Sequence, residues 1–244
     1  MKIAFVTYQD GGKFNAAIPQ EDELLKAFLT EKGLDYTFEI WDNPQVNWEQ
    51  YDALIIKSPW DYFEKPKAWY TWLDTVKHLK VLNPVNILQW NSDKIYLQEI
   101  ADAGFDIVPS EWLNKGEKPN WEQLFLHFNT KKLIIKPRIS GGALHTYAVG
   151  EHDKNKMHEI EMLLAEFDFM AQPFVQEIPD KGEWSFIFFN NQLSHAILKT
   201  AKEGEFRVQH FFGGTIHSLP APAHLLTTAQ QLVNNFAKGC LYAR

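Results

Sequence analysis

The chain has 244 residues, 45% of them hydrophobic, and a formal net charge of −7. That is enough apolar material for one large core or two to three smaller ones, and no charge run is long enough to point to disorder. An acidic chain does not attract a phosphodiester backbone, so no nucleic-acid partner is expected, although a local basic site can still hold a small anion.

A single cysteine, Cys240, leaves no pair for a disulfide within the chain. Nine histidines are scattered without the spacing of a metal motif, so no metal ligand is assigned. The apolar run near the N-terminus is too short for a signal peptide, and no segment is long enough to span a membrane. The expectation is a cytoplasmic protein with no membrane partner. The 14% aromatic content fits either ring-binding surfaces or, more commonly, an aromatic-rich core.

In chain order, residues 2–8 read as a short buried strand. A loop holding Gly11 and Gly12 follows. Pro19 opens a helix with Glu21, Asp22 and Glu23 in its first turn, where acids suit the helix dipole. Leu24, Leu25, Phe28 and Leu29 form its apolar face, and Gly33 can end it. Residues 36–41 and 53–57 read as further strands, the second apolar on both faces. Buried strands alternating with helices predict an α/β, Rossmann-like parallel sheet, with a first domain over residues 1–85.

Beyond it, a helix is predicted over 93–103, stopped by Gly104, then a strand at 107–109 and a helix over 121–128. A strand at 133–137, a return strand at 147–149 and a helix over 154–167 come next. Strands are expected at 174–177, 184–190 and 192–200, the last two joined by a turn at Asn190 and Asn191. A helix over 227–238 closes the chain. The second half therefore reads as α+β with antiparallel strands.

Neither GxxxxGK[ST] nor a GxGxxG after the first strand is present, so there is no P-loop and no support for dinucleotide binding. Lys136 ends the apolar strand LIIK and is followed by Pro-Arg-Ile-Ser-Gly-Gly. A lysine there aims a point charge, and the loop of Ser140, Gly141 and Gly142 offers unobstructed backbone N–H groups, a pairing suited to a triphosphate. The same residues also suit an exposed hairpin turn. Lys199 ends another strand, with Arg207 beyond a loop and Gly213-Gly214 after it. Arginine forks match phosphate or carboxylate, and a solvated charged loop is the alternative. Gln172, Pro173, Phe174 and Val175 precede Glu183. They suit a linker strand meeting an adenine edge and an acid accepting from a ribose hydroxyl, or an ordinary strand and loop.

Taken in order, these segments resemble the ATP-grasp superfamily. NSDKIYLQEIADAGFDIVPS carries a first lysine, Lys94, and Lys136 with its glycine loop carries the second. QPFVQEI resembles the hinge, GEWS supplies an acid, and KEGEFR is followed by two glycines. This last piece is similar to the amino-acid ligases that modify ribosomal proteins. SPWDY at residues 58–62, the QPF hinge, and FRVQ with its glycines resemble the glutathione-synthetase-like branch. That branch includes the O-ureidoserine cyclo-ligases of cycloserine biosynthesis.

The resemblance implies a Rossmann-like domain followed by a two-subdomain ATP-grasp fold, with subdomains over 86–170 and 171–244. It implies Lys94 and Lys136 at the ATP phosphates and purine edge. Ser140, Gly141 and Gly142 would cover the phosphates, Gln172, Pro173, Phe174 and Val175 would meet the adenine, and Glu183 the ribose. Lys199 and Arg207 would face the γ-phosphate and the substrate carboxylate. Ser58, Trp60, Asp61 and Tyr62 would help hold the substrate, Trp60 and Tyr62 suiting junction packing equally well.

The implied activity is an ATP- and Mg2+-dependent carboxylate–amine (or thiol) ligation of a small amino-acid-like substrate through an acyl phosphate. Alternatives are a kinase-like use of the fold and a non-catalytic nucleotide-binding protein. No Asp or Glu follows Glu205. The family's magnesium acids sit on late strands, so the subdomain over 171–244 is expected to be truncated, with the natural protein continuing beyond Arg244.

Overall fold

The computed structural model describes residues 1–9 and 18–244. The loop expected at Gly11 and Gly12 lies outside the described residues. The chain divides into two compact units. One holds residues 1–89 with 189–191 and 232–243, and the other holds 90–188 with 192–231 and Arg244.

The first unit is built on a four-stranded parallel sheet. Its strands are β1 (Lys2–Thr7), β2 (Asp35–Ile40), β3 (Ala53–Ser58) and β4 (Val81–Leu82), in the order β2-β1-β3-β4. Side chains along a strand alternate between faces, and the sequence of β1 obeys that period. Ala4 and Val6 enter a core with Leu54, Trp41, Trp69, Trp72, Leu73 and Val76, while Ile3 and Phe5 enter another with Leu29. Helix α1 (Ile18–Glu31) supplies Leu29 to the second core, and α2 (Pro66–Val76) supplies the tryptophans of the first. Burial on both faces is what a parallel sheet requires, so both faces of β1 carry apolar residues. Helix α2 begins with Pro66 in its first turn, where the missing N–H costs nothing. Two further helices follow, α3 (Val85–Asn91) and α4 (Tyr96–Asp102).

The second unit contains an antiparallel sheet of β5 (Glu111–Leu113), β6 (Lys132–Pro137), β7 (Tyr147–Gly150) and β8 (Phe169–Pro173), ordered β5-β8-β6-β7. Helices α5 (Trp121–His127) and α6 (Lys154–Leu164) pack on it through Leu124, Phe125, Met157, Ile160 and Leu164, against Leu133, Ile135, Val149 and Phe169. Asn120 caps α5 by accepting from Gln123 N at 3.1 Å. A short helix α7 (Glu177–Lys181) leads to a second sheet of β9 (Glu183–Phe189), β10 (Gln192–Thr200) and β11 (Thr215–Ser218), with β10 between the other two. Asn190 and Asn191, both with positive φ, turn the chain between β9 and β10. Helix α8 (Ala223–Phe236) and β12 (Tyr242–Ala243) end the chain. Tyr242 exchanges two hydrogen bonds with the Asn83 side chain inside the first unit, at 2.8 and 3.0 Å.

Three expected elements differ. The helix expected over 93–103 starts only at Tyr96, because Asp93 turns the chain first, its Oδ1 accepting from Ile95 N at 3.0 Å. The strand expected at 107–109 lies at Glu111–Leu113, where Trp112 pairs with Met170; Pro109, just before it, has no N–H for a ladder. The strand expected at 174–177 lies earlier, at Phe169–Pro173, and residues 177–181 are helical. Phe169, Met170, Ala171 and Gln172 are all buried, as suits a strand flanked by two others.

Candidate active site

In the second unit the end of β6 gathers four charged side chains. Lys94 lies in the turn before α4, not on a helix as expected. Its ammonium donates to the carbonyls of Pro137 (3.0 Å), Arg138 (2.9 Å) and Ser140 (3.2 Å) and to Ser140 Oγ (3.0 Å). Burial first, and then the neighbouring charge of Lys136, push its pKa down to about 8. Lys94 therefore acts as a staple between the turn and the segment after β6. Arg138 and Asp93 reinforce it with a two-pronged ion pair at 3.1 and 2.7 Å. Asp93 and Arg138 were not singled out in the sequence, although each neighbours a predicted lysine or its strand end.

Lys136 differs. Its side chain is desolvated enough to lower its pKa, an effect opposed by the charge of Glu183. Among the described residues, none accepts a hydrogen bond from its ammonium. A half-buried, desolvated lysine with no acceptor is poorly compensated, and an anion placed beside it relieves that cost.

The loop after β6 stores backbone strain. Gly142, Ala143 and His145 all have positive φ, at 59°, 58° and 51°. Glycine adopts this readily, whereas alanine and histidine do so only where the surroundings enforce it. Ser140, Gly141 and Gly142 thus open a segment of unusual backbone, and the Ser140 hydroxyl is engaged with Lys94 and the Pro137 carbonyl.

Gln172 and Pro173 end β8, and Phe174 and Val175 follow it. Gln172 is buried and donates to Ser110 Oγ at 2.9 Å. Phe174 N still donates to Lys132 O at 3.0 Å, and the Lys132 ammonium lies 3.8 Å from the Phe174 ring centroid. The Phe174 ring also meets Phe206, centroids 6.0 Å apart. Glu183 opens β9 and forms a close ion pair with Lys199 of β10. Gly182 makes this approach possible, because a Cβ there would sit 2.6 Å from Lys199 O.

Arg207 is held in a short loop. Its Nε and Nη2 donate to the two oxygens of Glu205 at 3.0 and 2.7 Å, and its guanidinium carbon lies 3.4 Å from the Phe212 ring centroid. That pairing drives the Glu205 carboxyl down to about 2. A Cβ at Gly214 would sit 2.6 Å from the Val208 carbonyl carbon and closer still to its oxygen, so the second glycine of the pair permits backbone contact. Glu205 was not among the predicted site residues; its signal was the acid two places before Arg207.

The remaining predicted residues lie in the first unit. Ser58 ends β3, buried, with its hydroxyl 3.0 Å from that of Thr7 at the end of β1. The β1–β3 register slips between Val6 and Thr7, a bulge at the carboxyl ends of two central strands. Trp60 lies beside Tyr8, ring centroids 6.2 Å apart. Asp61 is buried and accepts from Trp41 Nε1 at 2.7 Å and from Lys65 at 2.8 Å. Tyr62 packs on Trp69 at 5.6 Å. The structure thus groups Lys94, Lys136, Ser140, Glu183 and Lys199 in one unit, with Arg207 in its own loop there. Ser58, Trp60, Asp61 and Tyr62 belong to the other.

Among the described residues, no three His, Cys, Asp or Glu side chains converge as a metal-holding group. Lys136 offers positive charge to a polyanionic nucleotide, and the described residues do not by themselves form an all-protein cage for Mg2+. No described helix is long and apolar enough to cross a membrane.

Residues 3–83 match the family described as D-cycloserine synthetase DcsG, N-terminal domain. The cycloserine biosynthesis protein DcsG of Streptomyces lavendulae is 23% identical over 167 residues, a match spanning 66% of this chain and 56% of that protein. The crystal structure of D-cycloserine synthetase DcsG matches with a TM-score of 0.81 at 20% identity, covering 98% of this chain and 82% of that one. A D-alanine–D-alanine ligase from Bacillus anthracis complexed with ATP matches with a TM-score of 0.69 at 16% identity, over 100% of this chain and 79% of that one. Identities this low establish the fold. This chain has the fold of the ATP-grasp ligases and, over residues 3–83, resembles the N-terminal domain of D-cycloserine synthetase.

Proposed function

We propose that this protein is an ATP-dependent ligase that joins a small amino-acid-like carboxylate to an amine through an acyl phosphate. The observation that carries the reading is Lys136, a desolvated ammonium with no hydrogen-bond acceptor among the described residues. A triphosphate supplies the missing negative charge. The strained segment after Ser140 adds backbone N–H groups close by in the chain. Lys94 holds the start of that segment, and Glu183 with Lys199 completes a charged cluster suited to ribose and terminal phosphate.

In the proposed reaction a carboxylate oxygen attacks the γ-phosphorus of ATP and the bond to ADP breaks. The amine nitrogen then attacks the acyl carbon, phosphate leaves with the C–O electron pair, and the nitrogen loses a proton. The protein contributes position and positive charge, which dominate phosphoryl transfer. No step is assigned to Mg2+. The domain division proposed is 1–85, 86–170 and 171–244, the last two as the grasping subdomains. The partners proposed are the carboxylate and the amine, in the cytoplasm.

The test is ADP release across a panel of free amino acids, with hydroxylamine present to trap the acyl phosphate. Hydroxamate formed in step with ADP supports ligation; a stable phosphorylated product shows a kinase instead. A second reading, nucleotide binding without catalysis, is favoured by the missing metal-holding cluster among the described residues. Tight ATP binding with no ADP release from any acid supports that reading.

A further inference from the structure

The Arg207 loop carries an inference that rests on the proposed ligase reading and deepens it. A guanidinium has five N–H donors on two usable edges. In Arg207 the inner edge, Nε and Nη2, is taken by Glu205. Phe212 covers one face at 3.4 Å. The two N–H groups of Nη1 and the second of Nη2 have no acceptor among the described residues. They point a second, outer fork of the kind that matches a carboxylate or phosphoryl group.

Glu205 does two separable jobs. Its Oε1 accepts from Phe206 N at 2.9 Å, Arg207 N at 3.1 Å and Arg207 Nε, which shapes the loop backbone. Among the described residues its Oε2 accepts from Arg207 Nη2 alone, which sets the rotation of the guanidinium plane. The loop is anchored independently by Val208, buried, and by the Gly214 backbone packed against it. Phe206, between the two charged residues, touches Phe174 of the predicted hinge.

We propose that Glu205 and Phe212 are positioning residues that hold Arg207 with its outer Nη1/Nη2 fork presented to an oxyanion of the ligation, either the transferred phosphoryl group or the substrate carboxylate. The pair is a preset clamp: the carboxylate fixes the arginine side-on, and the ring blocks its swing. An arginine fixed in advance loses less freedom on binding than a free one, so it discriminates more sharply between charged and uncharged ligand ends.

Glu205→Gln separates the two jobs. The amide oxygen still serves the loop backbone, while the amide NH2 replaces the acceptor facing Nη2. The measurement is calorimetric titration with ATP and with ADP, in magnesium buffer. Alongside it, KM and kcat for ADP release are measured with whichever free amino acid supports it. The proteins are the wild type, Glu205→Gln, Arg207→Ala and the double variant.

If the fork holds the phosphoryl group, Glu205→Gln weakens ATP about tenfold and leaves ADP within about twofold. If it holds the carboxylate, both nucleotides are unaffected and the amino-acid KM rises about tenfold with kcat little changed. In either arm the double variant is no worse than Arg207→Ala alone, because Glu205 acts through Arg207. Phe212→Leu, which keeps bulk but removes the flat face, gives a smaller loss in the same parameter.

Wild-type behaviour of Glu205→Gln in both arms, or additive losses in the double variant, overturns the clamp and leaves the ligase reading intact. A wild-type protein that binds no ATP overturns the ligase reading and the clamp with it.

Discussion

The carboxyl end of the parallel sheet in the first unit and the end of β6 in the second are both rich in polar groups next to apolar cores. They treat those groups in opposite ways. At the first, Asp61 is fully engaged: Trp41 donates to one oxygen and Lys65 to the other. Ser58 and Thr7 satisfy each other. At the second, Lys94 is fully engaged by three carbonyls and a hydroxyl, yet Lys136 carries its charge with no acceptor among the described residues. A saturated buried polar group describes architecture. A desolvated cation with no acceptor is a place where an anion's charge would be welcome.

The sharpest way to test the architectural side is Trp41→Ala. Trp41 is 1% exposed and meets Trp69 and Trp72 edge-on, with centroids at 5.4 and 6.2 Å. Its loss empties the centre of that core and strands Asp61. A stability loss of about 3–5 kcal/mol is expected by chemical denaturation. A loss below about 1 kcal/mol would mean that the aromatic core repacks freely and that Trp41 is not its keystone.

Lys136→Met tests the other side and moves two quantities in opposite directions. ATP affinity is expected to fall by about 1.5–3 kcal/mol, as for loss of a charged hydrogen bond. The melting temperature of the nucleotide-free protein is expected to rise, because a desolvated ammonium with no hydrogen-bond acceptor among the described residues has been replaced by an apolar chain of similar length. Calorimetry and thermal melting read the two separately. Unchanged ATP affinity removes Lys136 from the site. A lowered melting temperature shows that its ammonium is well compensated in the folded protein, as the charge of Glu183 would allow.

A somewhat smaller effect is expected of Asp61→Ala. It leaves the Trp41 indole N–H buried without an acceptor, at a cost of about 1–3 kcal/mol in stability. Because Asp61 serves Trp41 and Lys65, any effect on a substrate KM should follow the stability loss and disappear when the variant is assayed at low temperature. A KM defect that persists in a fully folded Asp61→Ala protein would return Asp61 to the substrate-holding role expected from SPWDY.

How much of this was legible in the residues follows the same division. Strand periodicity announced β1 and β3, because burial on both faces leaves a continuous apolar run. The strand order, and with it the meeting of Thr7 and Ser58, depends on crossovers that no local pattern encodes. Helix α2 was not foreseen: PKAWYTWLDTV reads as much like a β-rich aromatic stretch as a helix, and only its packing as Trp69, Trp72, Leu73 and Val76 against the sheet decides the matter.

Lys136 was visible as a lysine at a strand end before a glycine loop. That it has no acceptor among the described residues was not, since this depends on how the fold surrounds the end of β6. Glu205 was passed over for a related reason. In sequence it is one of several acids in a charged loop, and only the fold turns its carboxylate onto Arg207.

That ion pair offers the finest test, because it has the character of both regions: one edge of Arg207 is saturated and the other is not. The paired arginine holds the Glu205 carboxyl at about 2, well below its ordinary 4.5. A carboxylate whose folded pKa is depressed adds stability that is fully present above its ordinary value and is lost as pH falls through its folded value. The contribution of the pair should therefore be flat above about pH 5 and fade between about 4.5 and 2.

The two side chains are 21% and 27% exposed, so solvent screens part of the interaction and the effect should be the smallest of those considered. The measurement is the difference in melting temperature between wild type and Glu205→Gln as pH is lowered. The difference should shrink toward zero as the wild-type carboxylate takes up its proton and comes to resemble the amide. A difference that persists undiminished at the acid end would show that Glu205 holds the loop by shape through its Oε1 contacts, and that its charge has no part in fixing Arg207.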